Sequence, residues 1–527
     1  MAAVDPVIGI DLGTTNSCVS VVIDGAVHVV PDENGARIQA SMVSFLRDGT
    51  VIVGNECRQE QIVDPLHTIY SAKRLIGRNY ISKEVKTALQ SFPYKLVKGK
   101  NNVPLIEVRG ERYGLPEISG MVLRRMKDIA ERYLGQPVGR AVITVPANFN
   151  DTQRQMTKLA GQLAGLEVLR IINEPTAAAL AYGYGRGINA RIAIYDFGGG
   201  TFDITLLEMR DNVFEVISTA GDTFLGGDDF DNRLARYMMA AFKQQFGFSV
   251  EADTIAVSRL KHVAEKVKCE LSSKERAIVN VTELALDPEG NPLDLRFQID
   301  RQGFNERCQD IVQRTFLVCD EALSLAHIKA RDVDGVVLVG GTTRMPIVRQ
   351  MVAEYFGREP LTDINPDEVV AIGAAIQGSS LDSEHFSAAG VTRRAPLLLD
   401  VTPMSLGVQI VSGYYDVVIE RNASIPCEHT RTFTTSTDDQ ISVRLQIFQG
   451  ESRVAAENIK LGEIELYGLT SAPRGQVEIQ VTFEIDTDGM VVVTARDRAT
   501  GIEQATRIEV SAGYAPDEVQ QMLERNA

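Results

Sequence analysis

Three textures follow one another along this chain. From residue 7 to around residue 380, short apolar runs alternate with amphipathic stretches. Ala141-Val142-Ile143-Thr144-Val145, 191–195 and Val336-Val337-Leu338-Val339 read as strands. The segments 118–133, 151–164, 229–246, 253–271 and 305–326 carry helical spacing. Asp151 marks a helix start, and Pro366 after Asn365 marks another. Such alternation predicts α/β layers with helices flanking sheets. Across 381–394 the chain turns polar and loses periodicity. Pro396-Leu397-Leu398-Leu399-Asp400 follows, an apolar run at a change of texture that reads as an exposed linker rather than a buried strand.

Beyond residue 400 the period becomes two. Ile441, Val443, Leu445 and Ile447 alternate with polar residues, as do Val477, Ile479, Val481, Phe483 and Ile485. Asp486-Thr487-Asp488-Gly489 then turns into Met490-Val491-Val492-Val493, the mark of an antiparallel hairpin. This region spans roughly 110 residues, the size of a β-sandwich. A helix begins at Ala515-Pro516-Asp517-Glu518, with Pro and acids in its first turn. Only about ten residues remain, fewer than an isolated helix needs.

The candidate chemistry lies in a device used twice. Ile10-Asp11-Leu12-Gly13-Thr14-Thr15 and Tyr195-Asp196-Phe197-Gly198-Gly199-Gly200-Thr201-Phe202-Asp203 each run from an apolar strand through Asp into a Gly/Thr turn. Another apolar run follows each, Val19-Ser20-Val21-Val22-Ile23 and Ile204-Thr205-Leu206-Leu207. Each reads as a β-hairpin with a carboxylate at the strand end and open backbone N–H groups at its tip. One copy would be an ordinary turn. Two copies facing each other can grip a polyphosphate between backbone amides, with both carboxylates turned toward a metal. Val339-Gly340-Gly341-Thr342-Thr343-Arg344-Met345-Pro346 repeats the strand–glycine–helix plan and leaves room for a flat ring or sugar, with Arg344 able to stack on a base.

Composition narrows the classes. The 527 residues exceed one core, and a prior of roughly 150 residues per domain implies three or four units. A hydrophobic share of 44% and a mean hydropathy of −0.05 suit a soluble globular chain. The net charge of −16 disfavours nucleic acid or an anionic membrane as the main partner. Any phosphate site must work locally against that field. Cys18, Cys57, Cys269, Cys308, Cys319 and Cys427 form no Cys-x-x-Cys pair, so they read as buried or incidental thiols in a reducing compartment. No apolar window approaches a membrane span or a signal peptide, and a cytoplasmic protein is expected.

Smaller clusters carry less. Glu265, Lys268 and Ser272 share a helix face, and alone they read as a solvated face with an ion pair. Lys73-Arg74 reads as surface charge. In Ile171-Ile172-Asn173-Glu174-Pro175-Thr176, Glu174 suits helix capping and water positioning equally.

Together these stretches resemble the seventy-kilodalton heat-shock chaperones of the DnaK type. Further matching motifs are Lys73-Arg74-Leu75-Ile76-Gly77-Arg78, Val145-Pro146-Ala147, Asn173-Glu174-Pro175-Thr176-Ala177-Ala178-Ala179 and Leu397-Leu398-Leu399-Asp400-Val401-Thr402-Pro403. The resemblance covers essentially the whole chain. It implies a two-lobed, actin-like α/β ATPase domain at 1–391, a linker at 392–400, an antiparallel β-sandwich for peptides at 401–510 and the start of a lid helix at 511–527. The repeated hairpin would reflect an ancient duplication of the lobes.

The resemblance also implies site roles. ATP or ADP would sit in the cleft with Mg²⁺, and K⁺ is allowed as a further ion. Gly13, Thr14, Thr15, Asn16, Gly198, Gly199, Gly200 and Thr201 would hold phosphates. Asp11 and Asp196 would organise the magnesium mostly through water. Lys73 would lie near the γ-phosphate, Glu174 and Asp203 would place the attacking water, and Thr201 would touch the transferred group. Glu265, Lys268, Ser272, Gly340, Gly341, Thr342, Arg344 and Asp367 would surround the adenosine. Val408, Ile410, Val411, Phe433, Ser436, Val443, Leu445 and Ile447 would line a peptide cleft with Val443 as its floor, although alternation alone assigns each of them to sandwich core. Pro146, Arg154, Arg170, Asn173, Leu397, Leu398, Leu399 and Asp400 would relay between domains and dock a J-domain co-chaperone. The implied partners are unfolded or extended polypeptides, a J-domain co-chaperone and a nucleotide-exchange factor, with no nucleic acid and no membrane.

Several positions depart from the family pattern. Ile38-Gln39-Ala40-Ser41 replaces Thr-Thr-Pro-Ser, Asn148 replaces Tyr, and Cys269 stands near the expected adenine. Pro396 replaces Val at the linker, stiffening it and removing a donor. Val411 and Ser436 replace the usual Met and Ala of the peptide arch, which predicts weaker retention. The family continues into a helical lid, so the sequence reads as a shortened form with fast peptide exchange in both nucleotide states. The alternatives are a small-molecule kinase of the same superfold, which leaves the sandwich without a use, and an ATP sensor with little turnover.

Overall fold

The computed structural model describes residues 5–361, 363–381, 395–507, 514 and 516–526. The alternating region folds as two lobes, each on a six-stranded sheet of the same inner plan. In the first, Val7–Leu12 and Asn16–Ile23 form an antiparallel hairpin, Ala26–Val29 extends it, and Arg140–Val145 lies parallel on the other side. In the second, Ala190–Phe197 and Phe202–Arg210 form the hairpin, Val213–Asp222 extends it, and Gly335–Val339 lies parallel. The duplication inferred from two short motifs thus extends to whole sheets.

Helices Leu115–Leu134 and Asp151–Leu163 cover the first sheet, and Arg301–Leu325 covers the second, while Gly227–Phe246 and Thr254–Ser273 pack on each other and Thr254–Ser273 on the separate hairpin Arg276–Leu286 and Pro292–Asp300. Between the sheets lie Glu174–Gly183 and Val369–Leu381, rich in Ala and Gly. A Cβ at Gly373 would overlap the Ala177 carbonyl, so these helices cross closer than any larger residue allows. Pro366 lies in a turn before the helix rather than inside it. Asn150, not Asp151, caps its helix by accepting from the Gln153 N–H at 2.9 Å. That leaves the Asp151 carboxylate free for other work.

The linker expectation is corrected. Leu397–Val401 is a strand, paired in parallel with Val213–Asp222 on the second lobe, with Leu398 buried and Leu397 exposed. An open sheet edge offered backbone partners that an exposed linker would lack. The polar stretch 382–394, and the boundaries drawn at 391 and 510, lie outside the described residues.

Two four-stranded antiparallel sheets follow and enclose one core that includes Leu445, Ile447, Ile479, Phe483 and Val493. Ile441 stands just before its strand and is exposed. The final helix, Pro516–Asn526, does not stand alone. Tyr514 and Met522 join the first lobe's core, Arg525 Nε donates to Glu117 at 2.9 Å, and its guanidinium lies 4.6 Å from the Tyr113 ring. Among the described residues no helix is long and apolar enough to cross a membrane.

Candidate functional site

The two hairpin tips meet across the cleft between the lobes. Asp11 pairs with Cys18 in the first hairpin and Asp196 with Asp203 in the second, so each carboxylate stands where its strand enters the turn. The tips touch. A Cβ at Gly199 would overlap Thr15 Oγ1, and one at Gly200 would lie 2.7 Å from Thr14 Cγ2. The third loop braces the second tip, with Thr342 Oγ1 donating to the Gly198 carbonyl at 2.8 Å. Gly340 has φ +83° and backs directly onto Phe197. These loops line a cleft whose walls include Gly13, Thr14, Thr15, Asn16, Gly198, Gly199, Thr201, Gly340, Gly341 and Asp367.

A buried acidic cluster underlies it. Lys73 Nζ donates to Glu174 Oε1 at 2.6 Å and to the Leu12 carbonyl, with both side chains buried. The surface reading of Lys73-Arg74 is therefore corrected. Arg74 is also buried, pairing with Asp228 at 3.2 Å and lying 5.2 Å from the Phe224 ring. Burial, then Glu174, push the Asp11 carboxyl up to about 7, although Lys73 and a Thr144 hydroxyl at 3.1 Å oppose the shift. Burial and the Glu174, Asp203 and Asp11 charges push Asp196 well above the carboxylate range. Asp203 rises to about 7 through burial and Glu174.

So many carboxyls against one lysine call for added positive charge. Among the described residues no group of three or more His, Cys, Asp or Glu side chains is placed to cage a metal. Asp11 and Asp196 face the cavity from opposite tips, an all-oxygen pair that suits a hard ion retaining its waters. Thr15 Oγ1 is buried without a protein partner, a hydroxyl left for a ligand oxygen. The residues present therefore fit a magnesium–polyphosphate.

On the adenosine side the predicted residues divide. Gly340, Gly341 and Asp367 line the phosphate cavity, and Arg344 pairs with Asp367 at 2.6 Å while remaining half-exposed. Glu265 and Lys268 line an adjoining cleft between the lobes. There Lys268 pairs with Asp231 at 2.7 Å, and Glu265 meets Arg58 at 3.7 Å across the cleft. Burial outweighs the Lys268 attraction and raises Asp231 to about 7. Arg58 also donates to Asn16 Oδ1 at 3.1 Å. Ser272 lines neither cavity and donates to its own helix at the Lys268 carbonyl, 3.2 Å away. Arg58 and Asp231 escaped sequence reasoning, because helix-face charges give no sign of which ones cross a cleft.

The relay residues lie under the sandwich. Pro146 ends the strand Arg140–Val145 and opens the turn that leads to Asp151. Arg154 donates to Asn173 Oδ1 at 2.7 Å, to the Phe149 carbonyl at 3.2 Å and to the Asp488 carbonyl at 3.4 Å. Asp400 accepts from Asn173 at 2.9 Å and Thr176 at 2.8 Å. Asn173 precedes the helix Glu174–Gly183 but makes no side-chain cap, because its side-chain oxygen accepts from Arg154 while its Nδ2 donates to Asp400 of the linker. Arg170 lines the small cavity beside Asp400 and Asp488, but its Nε has no partner there. The hairpin tip predicted at 486–489 drives Asp488 against the Ile171 N–H at 3.2 Å and Lys158 at 3.3 Å. Val491 N–H donates to Asp151 at 2.9 Å, and Arg421 pairs with Glu321 at 2.5 Å. Lys158, Asp488, Val491, Glu321 and Arg421 were not singled out as interdomain partners, nor was Asp151, since a turn or cap signal does not reveal what the residue will touch.

The eight peptide-cleft positions fall into two groups. Val408, Leu445 and Ile447 are buried in the sandwich core, as alternation alone favoured. Phe433 and Val443 are half-buried, and Ile410, Val411 and Ser436 are exposed.

A family model described as Hsp70 protein matches residues 7–527. It spans both lobes, the linker strand, the sandwich and the final helix. The chain belongs to the Hsp70 family, whose members are ATP-binding, ATP-hydrolysing chaperones.

Proposed function

We propose that the chain is a DnaK-type chaperone that binds extended hydrophobic segments of unfolded polypeptides, with affinity set by ATP binding and hydrolysis. The observation that carries this is the meeting of the two glycine tips, with the unpartnered Thr15 hydroxyl between them and the Lys73–Glu174 pair beneath. Backbone amides of the tips hold the phosphates. Asp11 and Asp196 would hold Mg²⁺ mostly through water, and the ion would supply charge neutralisation for the terminal phosphates. Lys73 offsets negative charge beside the γ-phosphate and orients Glu174. Glu174 and Asp203 accept hydrogen bonds from the attacking water, and Thr201 lies at the turn facing the transferred group. The chemistry is positioning plus charge neutralisation, with no covalent intermediate.

The sandwich holds an extended peptide by main-chain hydrogen bonds, Val443 forming the floor of a side-chain pocket. The surface around Arg154, Arg170, Asn173 and Asp400 suits a J-domain co-chaperone. A nucleotide-exchange factor would open the lobes, and K⁺ would accompany Mg²⁺. Turnover is slow without peptide, and the protein works in the cytoplasm. The docked sandwich supports linkage. If ATP favours docking and weak peptide binding, peptide must disfavour ATP to the same degree. A small-molecule kinase would have no use for the sandwich or for its contacts with the relay.

ATP hydrolysis is measured for the unmodified chain and for Lys73→Ala, with and without an unfolded peptide. The proposal expects slow basal turnover, a rise with peptide and near-complete loss in the variant. Equal rates in all four arms would favour a sensor.

A further inference from the structure

The loop between Pro146 and Asn150 reaches the buried acidic cluster through one side chain. Asn148 Nδ2 donates to Asp203 Oδ1 at 2.5 Å. Asp203 is only 2% exposed, and it shares its surroundings with Glu174 and Asp196. A carboxylate so placed rotates or loses its charge unless donors hold it. The opposing strand is cut to fit this contact. Gly221 is the register partner of Asp203, and a Cβ there would overlap both Asn148 Nδ2 and Asp203 Oδ1. The sheet is bare where the amide and carboxylate meet.

The loop itself is held from the other side. Arg154 donates to the Phe149 carbonyl at 3.2 Å and to the Ala147 carbonyl at 3.3 Å, the two residues flanking Asn148. The asparagine therefore projects from a clamped backbone. The pKa balance agrees. Burial and Glu174 drive Asp203 up to about 7, while the side-chain amide and backbone N–H of Asn148 both pull it back.

We propose that Asn148 is a positioning residue for ATP hydrolysis, fixing one Asp203 oxygen so that the other is presented to the attacking water. This rests on the hydrolytic reading above. It gives the departure at position 148 a task, since a shorter amide reaches a carboxylate that a ring in the same space would meet differently.

The test is single-turnover hydrolysis and equilibrium ATP binding, both with Mg²⁺, for the unmodified chain, Asn148→Leu, Asn148→Ser and Asn148→Asp. Asn148→Leu keeps the γ-branched shape and removes the donor. Its hydrolysis is expected to fall on the order of 100-fold, as for a misplaced catalytic group, with ATP affinity within about twofold. Asn148→Ser, which regains an O–H donor, should recover part of the rate. Asn148→Asp keeps the shape but opposes two carboxylates, and should be as slow as Asn148→Leu. It also covers the case in which the leucine chain does not fold.

Hydrolysis within about twofold of the unmodified chain in either Asn148→Leu or Asn148→Asp overturns the assignment, as does a parallel loss of ATP affinity. If the unmodified chain binds ATP without turning over, the hydrolytic reading fails and this assignment falls with it. If the unmodified chain turns over and the variants match it, only this assignment falls.

Discussion

Asn173 Nδ2 donates to Asp400 Oδ2 at 2.9 Å, and the next residue, Glu174, holds Lys73 at 2.6 Å. The linker strand is thus one peptide bond from the ion pair in the nucleotide cleft. Asp400→Ala removes the acceptor shared by Asn173 and Thr176. Losing hydrogen bonds to a charged group costs about 1.5–3 kcal/mol each. Peptide stimulation of ATP hydrolysis should drop about tenfold or more, with ATP affinity little changed. Comparing rates with and without peptide checks this.

Lys73→Ala leaves Glu174 buried without its cation beside Asp11, Asp196 and Asp203. Single-turnover hydrolysis should fall on the order of 100-fold or more. The lost buried partner should also lower thermal stability, and ATP with Mg²⁺ should restore part of it. A melting series with and without nucleotide reads both effects.

Gly199→Val places a side chain where Thr15 Oγ1 stands. The tips would part, and ATP should bind at least about tenfold more weakly, or 1.4 kcal/mol. The circular dichroism spectrum should not change, because the turn projects from the sheet rather than packing within it. Titration calorimetry with Mg²⁺ and ATP is the measurement.

Docking should respond to pH. Burial raises Asp151 to about 7 where it meets the Val491 N–H, and burial also raises Asp488. Undocked and in water, Asp151 would titrate near about 3.9. The docked form then holds the proton more tightly between these values. Docking should therefore strengthen as pH falls through about 7, reach its full gain below about 4, and weaken toward pH 8. The chain has no Trp, so Met490→Trp, in the turn packed on the first lobe, provides a fluorescence signal for docking. Adding Asp151→Asn should flatten the part of the pH response due to that residue.

Elements with a local signal were legible. The twin hairpins were visible because Asp and glycine at a strand end leave a compositional mark, and the Asp486–Gly489 turn for the same reason. What depends on a distant surface was not. Lys73 looks like surface charge until Glu174, 101 residues later in the chain, is placed against it. Leu397–Val401 looks like a linker because nothing local marks the sheet edge it joins. Asp488 reads as a turn residue, yet its carboxylate is half the contact with Ile171. The final helix seemed too short to hold because Met522 and Tyr514 find their core in the first lobe.

Stopped-flow anisotropy of a labelled leucine-rich peptide, bound in the presence of ADP and then mixed with ATP and Mg²⁺, tests the central claim most directly. ATP should release the peptide rapidly from the unmodified chain and leave it bound to Gly199→Val. Equal release rates after mixing with ATP or with further ADP would contradict the claim that the hairpin cleft governs the sandwich.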